Sequence, residues 1–287
     1  LGRSNMELGK AAEAEAALSK AVEIDPRGSN GSVAAQCLGD LLWKRCYENV
    51  EDQDRTKWER IRELYSIALR TAPFGPDRTV LVERLTKLNG VLLWSGMLTK
   101  DTAQHTVMPG DNVEKIGVQY GLPRDCTLSI SRINNLKNNR IAGGQKLKVI
   151  KPLKMEIYVS KSKFTLTAFL NGYFFNEFKV GIGKGGATPT GEFVVASKDK
   201  NPNWTKTLPD GSKKVYPFGD KENILGTRWI GFKDRPDIGA LGLGIHGTAE
   251  PDSIGTKSSA GCIRMHDKDV ELLFDFTPIG TKVVIVN

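Results

Sequence analysis

The chain has 287 residues, of which 39% are hydrophobic and 26% are charged, and its formal net charge is +8. This composition is typical of a folded protein of two or three domains and excludes an intrinsically disordered chain. The sequence has no apolar run of about 20 residues that would span a membrane, no signal segment is expected at its start, and no basic, aromatic-interleaved stripe predicts a nucleic-acid partner.

The first region, residues 1–100, is rich in Ala, Leu, Glu, Lys and Arg at helical spacing. Within it, the segment Ala17 to Gly28 aligns with the segment Leu64 to Gly75, and each copy predicts an amphipathic helix ended by Pro and Gly. The pattern resembles the second helix of tetratricopeptide-like repeats. Two interpretations stay open: a groove that binds a protein partner, or a plain helical spacer.

The second region, residues 104–151, predicts a short strand, a Pro-Gly-Asp turn, a helix, a second short helix ending at Asn134-Asn135, and a closing strand over Lys146 to Ile150. The blocks V-x-PGD, IG-x-x-YG, I-x-x-INNL and I-x-x-GQKLK-V follow one another in this order. Together they resemble a LysM module. That resemblance implies a small βααβ fold that binds N-acetylglucosamine-containing glycans.

In LysM modules the glycan lies against the loop after the first strand and the loop before the last one. These loops correspond here to Pro109 through Asn112 and to Leu136 through Ile141, which makes the expected glycan-binding residues Gly110, Asp111, Asn112 and Asn138. The residues leave another interpretation open, in which Pro-Gly-Asp is only a turn and a helix cap. His105 takes a strand-entry position and is expected to be structural.

From residue 154 to residue 287 the pattern changes to strands. Apolar runs on both sides of Asn171-Gly172 predict a hairpin with a type I′ turn. Further short β runs follow, and one helix is predicted over Asp267 to Phe276, with Asp267 as its N-cap. The whole chain is therefore expected to be multidomain α+β, with an α-helical repeat-like region, a βααβ module and a mostly-β domain.

A histidine and a cysteine stand at the two ends of the loop IHGTAEPDSIGTKSSAGCIRM. His246 ends a predicted strand and Cys262 follows 16 residues later, so the loop can bring the thiol beside the imidazole. An imidazole that takes the thiol proton creates a thiolate, the form of cysteine that attacks carbonyls. The N–H groups of Gly261 and Cys262 are candidates for an oxyanion hole, and Arg264 can supply positive charge to a carboxylate or an oxyanion.

The last region resembles the YkuD-type L,D-transpeptidases over residues 155–287, in the blocks IHGT, SIG and S-x-GCIRMH and in the upstream blocks ATPTGEF and LGTRWIGF. Carried over by position, the resemblance implies Cys262 as the nucleophile, His246 as the general base, and the backbone carbonyl of Gly247 as the group that orients the ring. The implied oxyanion and substrate-binding residues are Ser259, Gly261 and Arg264. Ala260 stands where many members have His, which leaves the general base in place.

In that family the cysteine attacks the peptide bond after the third, diamino-acid residue of a peptidoglycan tetrapeptide stem, releases D-Ala, and passes the acyl group to an amine of a second stem. The resemblance therefore implies a cross-linking enzyme of the extracytoplasmic cell envelope, without a metal or other cofactor. Peptidoglycan is the expected partner, through its stem peptides and its glycan. A LysM module beside the catalytic domain would raise the local concentration of stems.

Several other interpretations stay open. Water as the acceptor would make the protein an L,D-carboxypeptidase, and loss of catalysis would leave a wall-binding scaffold. In a third interpretation, Cys262 is an ordinary buried thiol and His246 a satisfied polar side chain. In a fourth, both are ligands of a zinc site with His266, a site that lacks a fourth ligand. The remaining cysteines have no C-x-x-C spacing and predict no disulfide framework: Cys37 and Cys46 are expected to be buried helix residues, and Cys126 a loop thiol.

Overall fold

The computed structural model describes residues 1–46, 54–71 and 78–287. The chain divides into two compact units. The first is Leu1–Ala103 together with Gly172–Phe175, and the second is Gln104–Asn171 together with Asn176–Asn287. Within the described ranges, every helix is too short or too polar to span a bilayer.

Helices make up most of the first unit as far as it is described. They are α1 (Gly2–Glu7), α2 (Ala11–Ile24), α3 (Ser29–Cys46), α4 (Arg55–Thr71) and α5 (Arg78–Leu92). Each helix packs against the next one in chain order, and buried side chains such as Leu18, Leu38 and Leu64 fill the space between them. Helices α3 and α4 approach closely because Gly39 faces the Tyr65 ring, where a Cβ at residue 39 would lie 2.6 Å from a ring carbon.

The predicted repeat is supported only loosely. Both copies begin in helices, α2 and α4, and α2 ends at Ile24, before Pro26, as predicted. The end of the second copy, with Pro73 and Gly75, lies outside the described residues. The region is helical, and its likeness to tetratricopeptide-like repeats goes no further than consecutive packed helices.

A short segment from the mostly-β region, Gly172–Phe175, groups with the helices of the first unit. The N–H of Phe174 donates to Ser66 Oγ at 2.9 Å, and Asn89 Nδ2 donates to the carbonyl of Phe174 at 2.8 Å. Both helical side chains are buried. Because buried polar groups need partners, these hydrogen bonds stabilise the segment in this position.

A βααβ module opens the second unit, as predicted. Its elements are β1 (Thr102–Thr106), α6 (Val113–Gln119), α7 (Ser129–Ile133) and β2 (Lys146–Ile150), and β1 pairs with β2. Asn134 joins α7 to β2, because its Nδ2 donates to the carbonyls of Ile130 and Lys148 and its Oδ1 accepts the Lys148 N–H, each at 2.8 Å. One side chain thus satisfies backbone groups of both elements.

The rest of the second unit is mostly β. Its elements are β3 (Met155–Ser160), β4 (Thr165–Leu170), β5 (Tyr173–Lys179), β6 (Ile182–Gly183), β7 (Gly191–Lys200), β8 (Trp204–Thr207), β9 (Lys213–Tyr216), β10 (Arg228–Phe232), β11 (Gly244–His246), β12 (Lys257–Ser259), β13 (Ile263–Arg264), α8 (Asp267–Phe276) and β14 (Lys282–Val286). Eight strands form one mixed sheet in the order β13-β11-β10-β7-β14-β3-β4-β5, and two further pairs are β12-β6 and β8-β9. Asn171 and Gly172 have φ of 52° and 85°, which confirms the type I′ turn.

The N-cap predicted for α8 is wrong by one residue. The helix runs over Asp267–Phe276 as predicted, but its N-cap is His266, whose backbone is extended. Asp267 is already helical, and its carboxylate accepts the N–H of Thr227 at 3.2 Å instead of an N–H of its own first turn. A tertiary contact therefore takes the side chain that local preference would have used as a cap.

Candidate active site

The histidine and the cysteine lie at two neighbouring strands at one edge of the large sheet. Strand β11 ends in His246 and pairs in parallel with β13, so that Ile245 lies beside Ile263 and His246 beside Arg264. Cys262 directly precedes β13. The side chains of His246 and Cys262 line one cleft of about 400 Å³. The cleft is also lined by Trp204, Leu225, Trp229, Gly242 and Ala260.

The His246 imidazole is held by a backbone carbonyl and an aromatic ring. Its Nδ1 lies 2.6 Å from the carbonyl oxygen of Gly247. Since a carbonyl only accepts, Nδ1 carries the hydrogen and Nε2 carries the basic lone pair. The Trp229 ring stacks on the imidazole, with ring centroids 5.9 Å apart. Burial lowers the pKa of His246 to about 4, so the imidazole is neutral at neutral pH.

A carboxylate from α8 fixes the peptide that orients the ring. Asp267 Oδ1 accepts the Thr227 N–H, and a Cβ added to Gly247 would stand 1.9 Å from the same oxygen. A Cβ at Gly226, where φ is +63°, would stand 2.3 Å from it. Glycine is therefore required at both positions, and the carbonyl of Gly247 is placed by close packing against Asp267.

The turn that carries Cys262 is held by two hydroxyl groups. Ser259 Oγ donates to the carbonyl of Cys262 at 2.6 Å and accepts the N–H of Gly261 at 3.1 Å. Thr188 Oγ1 donates to the carbonyl of Gly261 at 2.8 Å. Gly261 has φ of +147°, and a Cβ there would lie 3.0 Å from Leu243. The glycine thus lets the turn pass close to its neighbours and present the thiol to the cleft.

The predicted oxyanion donors are in different environments. The Gly261 N–H already donates to Ser259, as described above. The Cys262 N–H has no hydrogen-bond partner within the described parts of the chain. Of the two N–H groups, the one at Cys262 is therefore immediately available to a substrate oxygen.

Arg264 supplies positive charge at the cleft. Its Nη1 lies 2.7 Å from Glu250 Oε2, and its side chain is 9% exposed. Burial raises the pKa of Cys262, and the Gly244 N–H and the charge of Arg264 oppose that rise. The thiol is consequently protonated at neutral pH, and Arg264 favours the negative charge that appears when the proton leaves.

The comparisons with known proteins follow the same division of the chain. Residues 154–285 match the family model for YkuD, the L,D-transpeptidase catalytic domain, and residues 105–149 match the model for the LysM domain. The chain is 39% identical to the Bacillus subtilis protein YqjB, a candidate L,D-transpeptidase, over 139 residues that cover 47% of this chain and 74% of YqjB. The chain belongs to the YkuD family of L,D-transpeptidases.

Two further proteins are similar to this chain. The Bacillus subtilis candidate L,D-transpeptidase YkuD is 31% identical over 188 residues, which cover 63% of this chain and 97% of that protein. Among solved structures, L,D-transpeptidase 3 from Mycobacterium tuberculosis is 17% identical with a TM-score of 0.39, over 50% of this chain and 66% of that one.

The loop predicted to follow the first LysM strand is held by its own side chains. Asp111 Oδ2 accepts the Met108 N–H at 2.8 Å and lies 2.9 Å from Nε2 of the buried His105. The Met108 N–H, and then His105, lower the pKa of Asp111. Asn112 Oδ1 accepts the Lys115 N–H at 2.8 Å and caps α6. These contacts are those of a turn and helix cap, and His105 lies within β1 rather than at its entry.

Two of the predicted glycan-binding residues, Gly110 and Asn138, adopt the left-handed conformation. Gly110 has φ of +88°, and Asn138 has φ of +54° in the second loop, as has Asn139 with φ of +56°. Asn112 and Asn139, one from each loop, line a common cleft. The two predicted loops therefore meet at one surface, on which Asn112 and Asn139, rather than Asp111, line a cavity.

The other His and Cys residues of the chain do not line the cleft that His246 and Cys262 share. His266 is the N-cap of α8, and no cluster of three metal-ligating side chains occurs in the part of the chain that is described. Cys126 is buried in a 3₁₀ turn, and burial raises its pKa to about 12. Cys46 is buried in α3, whereas Cys37 on the same helix is half-buried, contrary to the expectation that both are buried.

Three side chains that contact the catalytic loop were not predicted from the sequence. Trp229 stacks on the imidazole, Asp267 packs against Gly247, and Thr188 supports Gly261. Trp229 and Thr188 belong to the blocks LGTRWIGF and ATPTGEF, which the sequence did single out. No local pattern connects Asp267 to the catalytic loop, because its partner Thr227 lies in a distant part of the chain.

Proposed function

We propose that this chain is a peptidoglycan L,D-transpeptidase in which Cys262 forms an acyl-enzyme with a tetrapeptide stem and passes the acyl group to an amine of another stem. The observation that carries the proposal is the shared cleft of Cys262 and His246, with a neutral imidazole oriented by Gly247. The membership of the chain in the L,D-transpeptidase family supplies the class of bond that is cleaved.

In the first half-reaction, His246 Nε2 takes the proton of the Cys262 thiol while Sγ attacks the carbonyl of the third stem residue. A C–S bond forms, the C–N bond to D-Ala breaks, and the imidazolium returns the proton to the leaving amine. Burial raises the pKa of Cys262 and lowers that of His246, so the resting pair is neutral. Proton transfer therefore accompanies the attack on the substrate and does not precede it.

In the second half-reaction, an amine of another stem attacks the thioester. His246 removes a proton from that amine, the C–N bond of the cross-link forms, and the C–S bond breaks. The proton on the imidazolium then returns to Sγ, which restores the neutral pair. Water in place of the amine would follow the same proton path and give a tripeptide, the product of an L,D-carboxypeptidase.

The turn before β13 is suited to stabilise the tetrahedral intermediate. The N–H of Cys262 has no hydrogen-bond partner within the described residues. The backbone N–H of the nucleophilic residue is a common donor of an oxyanion hole. The N–H of Gly261 contributes a second donor once it exchanges Ser259 Oγ for the oxyanion. Arg264 adds a positive charge, which is shared with Glu250 in the free protein.

The LysM module places this chemistry on the cell wall. We propose that it holds the glycan through the surface where Asn112 and Asn139 meet, so that the enzyme acts in the extracytoplasmic envelope. The helical unit, in which consecutive helices pack in chain order, is the part of the chain proposed to bind a protein partner.

Mass spectrometry of muropeptide products tests the proposed reaction. The full chain is incubated with a disaccharide-tetrapeptide, and the wild type is compared with Cys262→Ala and with Cys37→Ala, a control at a half-buried thiol of the helical unit. A cross-linked dimer with loss of D-Ala is expected in the wild type and the control only. Tripeptide alone would assign an L,D-carboxypeptidase, and unchanged substrate with a folded protein would leave a wall-binding scaffold.

A further inference from the structure

A second cleft lies between the LysM module and the catalytic domain, inside the second unit. It has a volume of about 630 Å³, and its lining includes Asn112, Leu128 and Asn139 from the module and Lys198, Lys200 and Phe274 from the catalytic domain. A cavity of about 230 Å³ shares Leu128 and Asn139 with it and adds Asn135 and Arg228. We call the two together the interdomain cleft.

The walls of the interdomain cleft are held in place by charged hydrogen bonds. Arg132 Nε donates to Asp275 Oδ2 at 2.6 Å, and the Asp275 side chain is only 5% exposed. On the other side, Lys198 Nζ donates to the carbonyl of Asp125 at 2.8 Å. The Ile279 N–H donates to the Asp125 carboxylate at 3.0 Å. Because buried charges need these partners, the cleft is formed before any ligand arrives.

One cation in the interdomain cleft has no counter-ion. Lys198 is paired with Asp125 and Arg132 with Asp275. Lys200 is exposed and has no carboxylate within 4 Å in the described residues. Partial burial of its amine lowers the pKa of Lys200, and the positive charges of Arg228, Lys198 and Arg132 lower it further. The carboxylate of Asp275 acts in the opposite direction. The site around Lys200 is thus suited to accept an anionic group.

The remaining polar lining is suited to a sugar chain. The cleft is also lined by the carboxylates of Glu114 and Asp125, each of which is paired with a cation. Asn112, Asn135 and Asn139 present amide groups, of which the Asn112 Oδ1 already caps α6, and amides match the hydroxyl and N-acetyl groups of an amino sugar. Leu128 and Phe274 give the cleft an apolar part that suits the C–H faces of a pyranose ring. Amides, an apolar surface and an unpaired ammonium together fit a glycan that carries carboxylates.

We propose that the interdomain cleft binds a carboxylate-bearing N-acetylated glycan, with its amide and hydroxyl groups on the asparagines of the LysM module and a carboxylate on Lys200 of the catalytic domain. This inference rests on the proposed function in taking peptidoglycan as the substrate. The carboxylate is the lactyl group of a sugar without a stem, because a stem converts that group to an amide. It differs from glycan binding by the module alone, because the catalytic domain supplies the group that selects an anionic strand.

The interdomain cleft and the active-site cleft are lined by neighbouring residues of one strand pair. Lys200 and Arg228 are the last pair of the β7–β10 ladder and line the interdomain cleft. Their neighbours Asp199 and Trp229, which point to the other face of the sheet, line the active-site cleft. The two clefts therefore lie on opposite faces of the sheet, at the same end of this ladder.

Calorimetry with two glycans tests the proposal. The full chain carrying Cys262→Ala is titrated at fixed salt with peptide-free peptidoglycan strands, whose lactyl groups are free carboxylates, and with chitohexaose, which has none. We expect the strands to bind about fivefold more tightly, which is what an ion pair with an exposed lysine contributes at most. Lys200→Gln is expected to remove the preference for the strands and to keep chitohexaose binding, whereas Lys200→Arg is expected to retain the preference. Lys233→Gln, at another exposed lysine of the domain, is the control and should leave the preference unchanged.

Three results would overturn the proposal: no binding of either glycan, equal affinity for both, or a preference that persists in Lys200→Gln. Thermal unfolding of each variant checks that it is folded. Because binding is measured without the nucleophile, it does not depend on turnover. A protein that shows the Lys200-dependent preference but releases no D-Ala when Cys262 is intact would contradict the proposed function and leave the binding site standing.

Discussion

The carboxylate of Asp267 lies against Gly247 so closely that only a hydrogen atom fits between the Cα of the glycine and Oδ1 of the aspartate. The carbonyl of that glycine accepts from Nδ1 of His246. The first residue of α8 therefore determines where the orienting carbonyl lies, and through it the tautomer and direction of the imidazole.

Gly247→Ala is expected to reduce kcat/KM by on the order of 100-fold, because the added methyl group must displace Asp267 and with it the carbonyl that orients His246. Steady-state release of D-Ala from a tetrapeptide measures the effect. Gly143→Ala is the matched control, since nothing lies within 4 Å of a Cβ at residue 143. Equal activity of the two variants would show that the position of the carbonyl is unimportant.

Asp267→Ala is expected to lower kcat about tenfold with little change in KM, because the variant loses the hydrogen bond to Thr227 that fixes the orienting loop but no contact with the substrate. Asp267→Asn retains an oxygen acceptor and should recover most of the activity. A role limited to the stability of α8 would appear instead as a lower melting temperature with unchanged kcat in both variants.

The low pKa of His246 predicts the pH dependence of activity. With a folded-state pKa of about 4, the imidazole stays unprotonated as the pH falls below its ordinary value of 6.5, so kcat/KM should remain high until the pH approaches 4. NMR titration of the His246 ring, assigned with His246→Gln, gives the pKa directly. A midpoint near 6.5 in the folded protein would contradict the buried, neutral base.

The same pKa predicts a loss of stability in acid. The unfolded chain takes up a proton on His246 near pH 6.5 and the folded chain only near pH 4, so the free energy of unfolding falls as the pH falls through this window and is constant, for this group, above it. The loss is about 3 kcal/mol. Urea unfolding at pH 7, 6 and 5 should show this slope in the wild type and a smaller one in His246→Gln.

Arg132→Met is expected to lower the free energy of unfolding by about 3 kcal/mol, because it leaves the buried Asp275 carboxylate without its partner. Arg124→Met, whose partner Glu114 is 63% exposed, serves as the control and should cost less than about 1 kcal/mol. Urea unfolding measures both. The double variant Arg132→Met with Asp275→Leu should recover part of the loss, and strictly additive effects would contradict the coupling.

Features that depend on residues close together in the sequence could be predicted, whereas features that depend on contacts between distant segments could not. The Asn171-Gly172 turn, the βααβ module and the limits of α8 follow from short patterns, because they are set by local backbone preference. The position of His246 and Cys262 in one cleft could also be predicted, because the sequence blocks that resemble the YkuD family contain both residues.

Contacts between distant segments lay outside sequence reasoning. Asp267 was predicted as an N-cap because aspartate suits that position, whereas its oxygen is taken by Thr227. Ser259 is predicted to bind substrate and lines the active-site cleft, and the structure adds that its hydroxyl links the N–H of Gly261 to the carbonyl of Cys262. The interdomain cleft depends on the pairing of Arg132 with Asp275, which no local pattern encodes.

The neutral resting state of Cys262 has a consequence for the lifetime of the enzyme. Peroxide and other oxidants convert thiolates to sulfenic acid and react far more slowly with thiols. Because burial keeps Cys262 protonated, the nucleophile is shielded from oxidation between turnovers and becomes reactive only while His246 is accepting its proton. The desolvation that disfavours the thiolate thus also protects the sulfur from oxidants.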